Sequence, residues 1–159
     1  MLDAETMLVA TLAEALETAC PGLRDLDVAE GALSVLLTGD SEQQVLNRDW
    51  RGQDKSTNVL SFPAGDVVAG ETPAPEFEGV PLNLGDIAMA WQTIEREAQE
   101  QEKSFADHVR HLAVHGLLHL LGYDHETDDQ AEVMEGLEIR ILAALGLPDP
   151  YRSGALEHR

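Results

Sequence analysis

The sequence contains one cysteine, Cys20. No disulfide framework can form within the chain, which favours a reducing compartment. With no histidine pattern around it, Cys20 reads as a small buried side chain and not as a nucleophile. Cations are also scarce: 10 Lys and Arg face 30 Asp and Glu, for a formal net charge of −20. Proteins that bind nucleic acid generally show a basic face, so this balance argues against a general binder of that kind. It fits high solubility or tolerance of salt. No apolar run approaches the roughly 18–20 residues of a membrane span. The first residues, Met1-Leu2-Asp3-Ala4-Glu5, are acidic where a signal peptide would be basic, so the expected location is the cytoplasm. Internal repeats and low-complexity tracts are absent as well.

What is present describes one ordinary domain. The 159 residues are 43% apolar, enough to bury a core without staples, and residues 1–159 are expected to form a single domain. Leu8, Leu12, Leu16 and Ala19 recur at helical spacing, which predicts a helix over 3–19 that stops at Pro21-Gly22. Ala32–Thr38 reads as a strand between Gly31 and Gly39. Ser41-Glu42-Gln43-Gln44 looks like a capping box, placing a helix over about 42–50. Asn58–Phe62 reads as a short strand ending at Pro63, and residues 63–82, with four of the seven prolines, as a loop. Leu84–Trp91 reads as another strand, followed by a polar helix to about Gln101. A capped helix is expected over about 105–121, ending at Gly122. The last helix starts near Thr127, with Met134, Leu137, Ile141 and Leu145 as its apolar stripe. Helices at both ends with strands between them predict an α+β domain: a small mixed sheet packed by helices.

Five of the six histidines fall between residues 108 and 125. His115 and His119 are four apart, so on a helix they share one face and can converge on one ion. A third ligand requires the chain to bend back; Gly122 supplies the bend and His125 follows six residues after His119. Three imidazoles leave a fourth position for water, the open arrangement of catalytic zinc. His115, His119 and His125 are therefore the expected ligands of one zinc ion, on a central helix and the turn after it. His111, one helical turn earlier, could support a ligand ring but is rather expected on the surface, and no role is assigned to His108; if the zinc were structural, His111 or Asp124 would be the candidates to close the site. Asp124 could orient a ligand imidazole or serve in proton transfer.

The same spacing occurs in metzincin peptidases, where the residue after the first histidine is the glutamate that activates water. Here that residue is Gly116, which has no side chain to accept a proton, so standard peptidase chemistry is disfavoured. If the substrate were a phosphodiester, a cation would be needed near phosphorus, and the planar fork of arginine suits two phosphate oxygens. Arg51 is the candidate. Arg48, Arg51 and Lys55 lie within eight positions and hold three of the ten cationic residues.

His115-Gly-Leu-Leu-His119-Leu-Leu-Gly-Tyr-Asp-His125 closely resembles the signature of the YbeY family of bacterial endoribonucleases. Arg51-Gly-Gln-Asp-Lys-Ser-Thr-Asn-Val-Leu-Ser-Phe-Pro63, Leu84-Gly-Asp-Ile87 and Asp149-Pro-Tyr151 are similar to further segments of that family, in the same order. The resemblance implies that His115, His119 and His125 hold zinc and that Arg51 is the catalytic arginine. It also implies a substrate of single-stranded RNA, notably the 3′ end of 16S rRNA, with a role in late small-subunit maturation and ribosome quality control. The small subunit, its proteins and assembly factors would be partners. RNA binding by so acidic a chain would then depend on a ribosomal partner or on a locally positive cleft around Arg48, Arg51 and Lys55, with Arg51 and Lys55 as the expected substrate contacts. Two rivals stand beside this reading: an assembly factor whose zinc is mainly structural, and a metal hydrolase of another substrate such as a peptide.

Overall fold

The structure, a computed structural model, describes residues 4–20, 33–53, 57–65, 67–71 and 82–151. In order, the elements are α1 (Ala4–Ala19), β1 (Leu33–Thr38), α2 (Asp40–Arg51), β2 (Val59–Pro63), β3 (Gly85–Ala90), α3 (Trp91–Glu100), α4 (Phe105–Leu120) and α5 (Asp128–Ala144). The strands form a mixed sheet in the order β1-β3-β2: β1 runs parallel to β3, with Val35 opposite Ile87, and β2 antiparallel, with Ser61 opposite Ile87. β3 takes the centre because Ile87, Ala88, Met89 and Ala90 form a continuous apolar run that can be buried on both faces. β1, at an edge, leaves Leu36 and Leu37 half exposed.

The core lies between the sheet and the helices. Leu8, Leu12 and Leu16 of α1 pack with Val109, Leu112 and Leu117 of α4 and with Met134, Leu137 and Ile141 of α5. Cys20 is buried in the same core, as its isolation in the sequence suggested, and burial raises its thiol pKa. Gln43 of α2 is fully buried yet satisfied: its Nε2 donates to Ala88 O (2.9 Å), and its Oε1 accepts from Thr38 Oγ1 (2.6 Å). A buried amide with both ends paired ties α2 to the sheet. The α+β architecture expected from the sequence, a small mixed sheet packed by helices, is thus present.

Most boundaries fall within a residue of the sequence reading, and two of the differences have a clear physical reason. α2 begins at Asp40, not at 42, and its N-cap is Gly39, which has no side chain, so Glu42 supplies only half of a capping box in place of the one expected from Ser41 and Gln44. Glu42 Oε1 accepts from Gly39 N (3.1 Å) and Gln92 of α3 accepts from Asp40 N (2.9 Å), so a tertiary neighbour helps satisfy the free amides of the first turn. Trp91, expected as the end of a strand, is the first residue of α3. The sheet ends one residue earlier, where Ala90 pairs with Thr38 of β1 and its amide donates to Asn58 O (2.9 Å).

Candidate metal centre

α4 carries the histidines. Its start is fixed by Ser104, whose Oγ accepts from Asp107 N (3.0 Å). Val109, Leu112, Ala113, Val114, Leu117, Leu118 and Leu120 are buried, so the helix is held firmly in the core. The turn after it closes at Gly122: Gly122 N donates to His119 O and Tyr123 N to Leu118 O, both at 3.0 Å. Gly122 has φ +96°, and a Cβ there would lie 2.1 Å from Val67 O, so both conformation and close approach require glycine. This turn brings His125 back to His115 and His119.

One nitrogen from each of His115, His119 and His125 lies within 4.8 Å of the others. His115 and His119 are partly buried and His125 is exposed, so the cluster opens to solvent. The Nε2 atoms of His115 and His119 are 3.1 Å apart. Two nitrogens bound to one zinc at about 2.0–2.1 Å and a tetrahedral angle would be separated by about 3.3 Å.

The hydrogen bonds of these rings show what their free nitrogens can do. His119 Nδ1 meets the carbonyl oxygen of Tyr123 at 3.0 Å; a carbonyl only accepts, so Nδ1 carries the proton and Nε2 a lone pair. His115 Nδ1 meets Glu138 Oε2 at 2.7 Å. Burial alone would raise the Glu138 pKa, but hydrogen bonds from His111 and His115 outweigh it and lower it to about 2. Glu138 is therefore an acceptor-only carboxylate, and His115 too presents a bare Nε2 when neutral. Burial first, then the neighbouring His115 and His125, lower the His119 pKa to about 4, so His119 is neutral at pH 7. Two lone pairs facing each other at 3.1 Å repel unless a cation lies between them. The donor set fits a divalent metal, and imidazole suits zinc, copper, iron and nickel. Among the described residues no fourth His, Cys, Asp or Glu joins the group.

Glu138 was not singled out from the sequence. It is fully buried on α5, where its carboxylate accepts from His115 Nδ1, from His111 Nε2 (2.9 Å) and from the Tyr151 hydroxyl. The available signal was a glutamate between Leu137 and Ile141, inside the apolar face of α5. His111, expected at the surface, is mostly buried because this carboxylate draws it inward. His108 is buried on Glu97 of α3 (2.8 Å), which also accepts from Asn58 Nδ2 (3.0 Å), and so braces α3 against α4. Asp124 accepts from the backbone N of His125 (2.8 Å), shaping the turn. Gly116 has a packing reason: a Cβ there would lie 3.1–3.3 Å from Ile87 and Ser61 side-chain atoms. Position 116 faces the sheet, where a metzincin-like glutamate has no room.

Arg51 ends α2, and Gly52 caps the helix at φ +72°. Its Nη2 donates to Ser61 O (3.4 Å), while Ser61 Oγ donates to Gly116 O (3.0 Å), in the helical turn between His115 and His119. Arg51 is thus anchored on the same strand that packs against the histidine helix. Lys55 lies outside the described residues.

In the metal-free protein these groups make stability fall in acid. The ordinary pKa of histidine, 6.5, drops to about 4 for His119 on folding, so the unfolded chain takes up this proton first as pH falls below 6.5. Glu138 acts in the same direction lower down, between its ordinary 4.5 and about 2. The melting temperature of chelator-treated protein should therefore be lower at pH 5 than at pH 7. A melting temperature that rises toward pH 5 would contradict this assignment.

The chain matches the family model described as Endoribonuclease YbeY over residues 4–146. A curated Endoribonuclease YbeY from Allorhizobium ampelinum is 60% identical over 119 residues, covering 75% of this chain and 67% of that protein. One from Rhodopseudomonas palustris strain HaA2 is 51% identical over 154 residues, covering 92% of this chain and 74% of the relative. The solution structure of a Thermotoga maritima protein aligns with a TM-score of 0.54 at 23% identity, over 100% of this chain and 96% of that one, and shows a likeness of fold. With the histidine cluster in place and the match running from α1 to the end of α5, the chain belongs to the YbeY family of endoribonucleases.

Proposed function

We propose that this chain, as one domain over residues 1–159, is a zinc-dependent endoribonuclease of single-stranded RNA. It acts in the cytoplasm on the 3′ end of 16S rRNA, in late small-subunit maturation and ribosome quality control. Its partners are the small subunit, its proteins and assembly factors. The observation that carries this reading is the convergence of bare imidazole nitrogens from His115 and His119, with His125, in a chain of the YbeY family.

His115, His119 and His125 hold the ion. Bound there, zinc supplies Lewis acidity and lowers the pKa of water toward about 7. The protein's own contribution is orientation. Glu138 and the Tyr123 carbonyl fix the two rings with Nε2 toward the site. Arg51 spends one N–H on Ser61 O, leaving the rest of its fork for phosphate oxygens. It offsets the charge that grows on phosphorus-bound oxygens during cleavage. A mainly structural zinc is less well supported, because the two residues that could have closed the site are engaged elsewhere: His111 on Glu138 and Asp124 on the backbone of its own turn.

The test is cleavage of a single-stranded RNA by zinc-loaded enzyme. Arg51→Ala should lower kcat by roughly 100- to 1,000-fold, the usual cost of losing one oxyanion-stabilising donor, with zinc affinity unchanged. Equal cleavage by parent and variant would refute the role of Arg51.

A further inference from the structure

Trp50 is not used by the chemistry above, yet it is conspicuous. It precedes Arg51 in the last turn of α2 and is 71% exposed, more than the other exposed large apolar side chains among the described residues. An indole left in water forgoes a large burial gain, and tryptophan is enriched at interfaces. The ring is held in place: it meets Phe62 edge-on, with centroids 5.9 Å apart and planes at 73°. Its neighbour Arg51 is tied to Ser61 O, so the indole and the guanidinium are anchored on successive residues of β2. Ser61 in turn donates to Gly116 O, within the helix that carries the histidines.

We propose that Trp50 is a stacking platform for one base of single-stranded RNA, seated while Arg51 holds a neighbouring phosphate. This rests on the RNA-cleaving reading above and extends it to a binding residue. Charge favours an RNA occupant over a protein one: Arg51 directly follows Trp50, and Arg48 lies two positions before it, in a chain of net charge −20. Arg48 shares its charge with Asp49 (3.1 Å), so Arg51 is the stronger anion contact. Bases must be unstacked to lie on an aromatic ring, which selects single strands over duplex. Stacking also supplies affinity that does not depend on counterion release, which suits an acidic protein with few cationic residues.

The test uses zinc-loaded Trp91→Phe enzyme, which leaves Trp50 as the only one of the two tryptophans. A single-stranded 12-mer should quench its fluorescence on binding. Duplex RNA of that length, and a ribose-phosphate strand lacking bases, should not. Trp50→Ala should weaken binding and raise KM by roughly 10-fold, the scale of one lost stack, with little change in kcat or melting temperature. Trp50→Phe should restore most of the loss. The salt dependence of binding should be unchanged in Trp50→Ala and shallower in Arg51→Ala.

If labelled RNA binds and is cut while the indole signal stays constant, the proposal is overturned and the RNA-cleaving reading survives. If no RNA binds the parent enzyme, both fall. If Trp50→Ala binds free RNA normally and loses only co-sedimentation with small ribosomal subunits, the surface belongs to a protein partner and the proposal is likewise overturned.

Discussion

His119→Ala is expected to reduce RNA cleavage to background and to remove measurable zinc binding at stoichiometric concentrations. His119 is one of the pair facing at 3.1 Å: its Nδ1 is committed to the Tyr123 carbonyl and its Nε2 faces the site. Alanine removes a ligand outright. The loss should exceed the roughly 10- to 100-fold that follows removal of a residue supporting a ligand. The variant should still fold, because a partly buried neutral imidazole is replaced without stranding a charge. Zinc affinity is read by competition with a chromophoric chelator, and folding by thermal denaturation of the metal-free protein. Parent-like zinc affinity in folded His119→Ala protein would remove this ring from the ligand set.

Glu138→Ala should show the largest effect on stability. The carboxylate is fully buried and accepts from His115, His111 and the Tyr151 hydroxyl. Alanine strands all three donors and leaves a cavity between α4 and α5. Each buried donor left unsatisfied costs about 1–3 kcal/mol, so the combined loss is a large fraction of the stability of an ordinary domain. Glu138→Gln separates packing from charge. It keeps the volume, but an amide cannot accept from every one of these donors at once. This variant should stay folded and bind zinc about 10- to 100-fold more weakly, as expected when a residue orienting a ligand histidine is lost. Unchanged zinc affinity in folded Glu138→Gln protein would mean that the carboxylate serves packing alone.

The sequence made the local part of this site legible. Spacing of four and then six, with Gly122 between, is a property of one helix and its terminator, and periodicity encodes both. α4, α5 and the strands fall close to their expected places for the same reason. What escaped is tertiary. Glu138 lies 23 positions after His115, and only the packing of α5 on α4 brings it to the ring. Asp124, the nearer carboxylate in sequence, attracted the role instead. His111 looked like a surface residue because nothing local reveals the buried acid that it serves. The lack of a side chain at Gly116 is plain in the sequence, but its cause, the close approach of α4 to Ile87 and Ser61, needed the sheet. The start of α2 was missed because its first amide is satisfied by Gln92, a residue of α3.

The proposed function puts metal binding and RNA cleavage in one site, and that link can be measured directly. Chelator-stripped enzyme is titrated with zinc while the initial rate of cleavage of a single-stranded RNA is followed. Cleavage should be absent without metal, rise linearly, and break at one zinc per chain, with His119→Ala flat throughout. Stripped protein that cuts as fast as the zinc-loaded enzyme would contradict the proposed function.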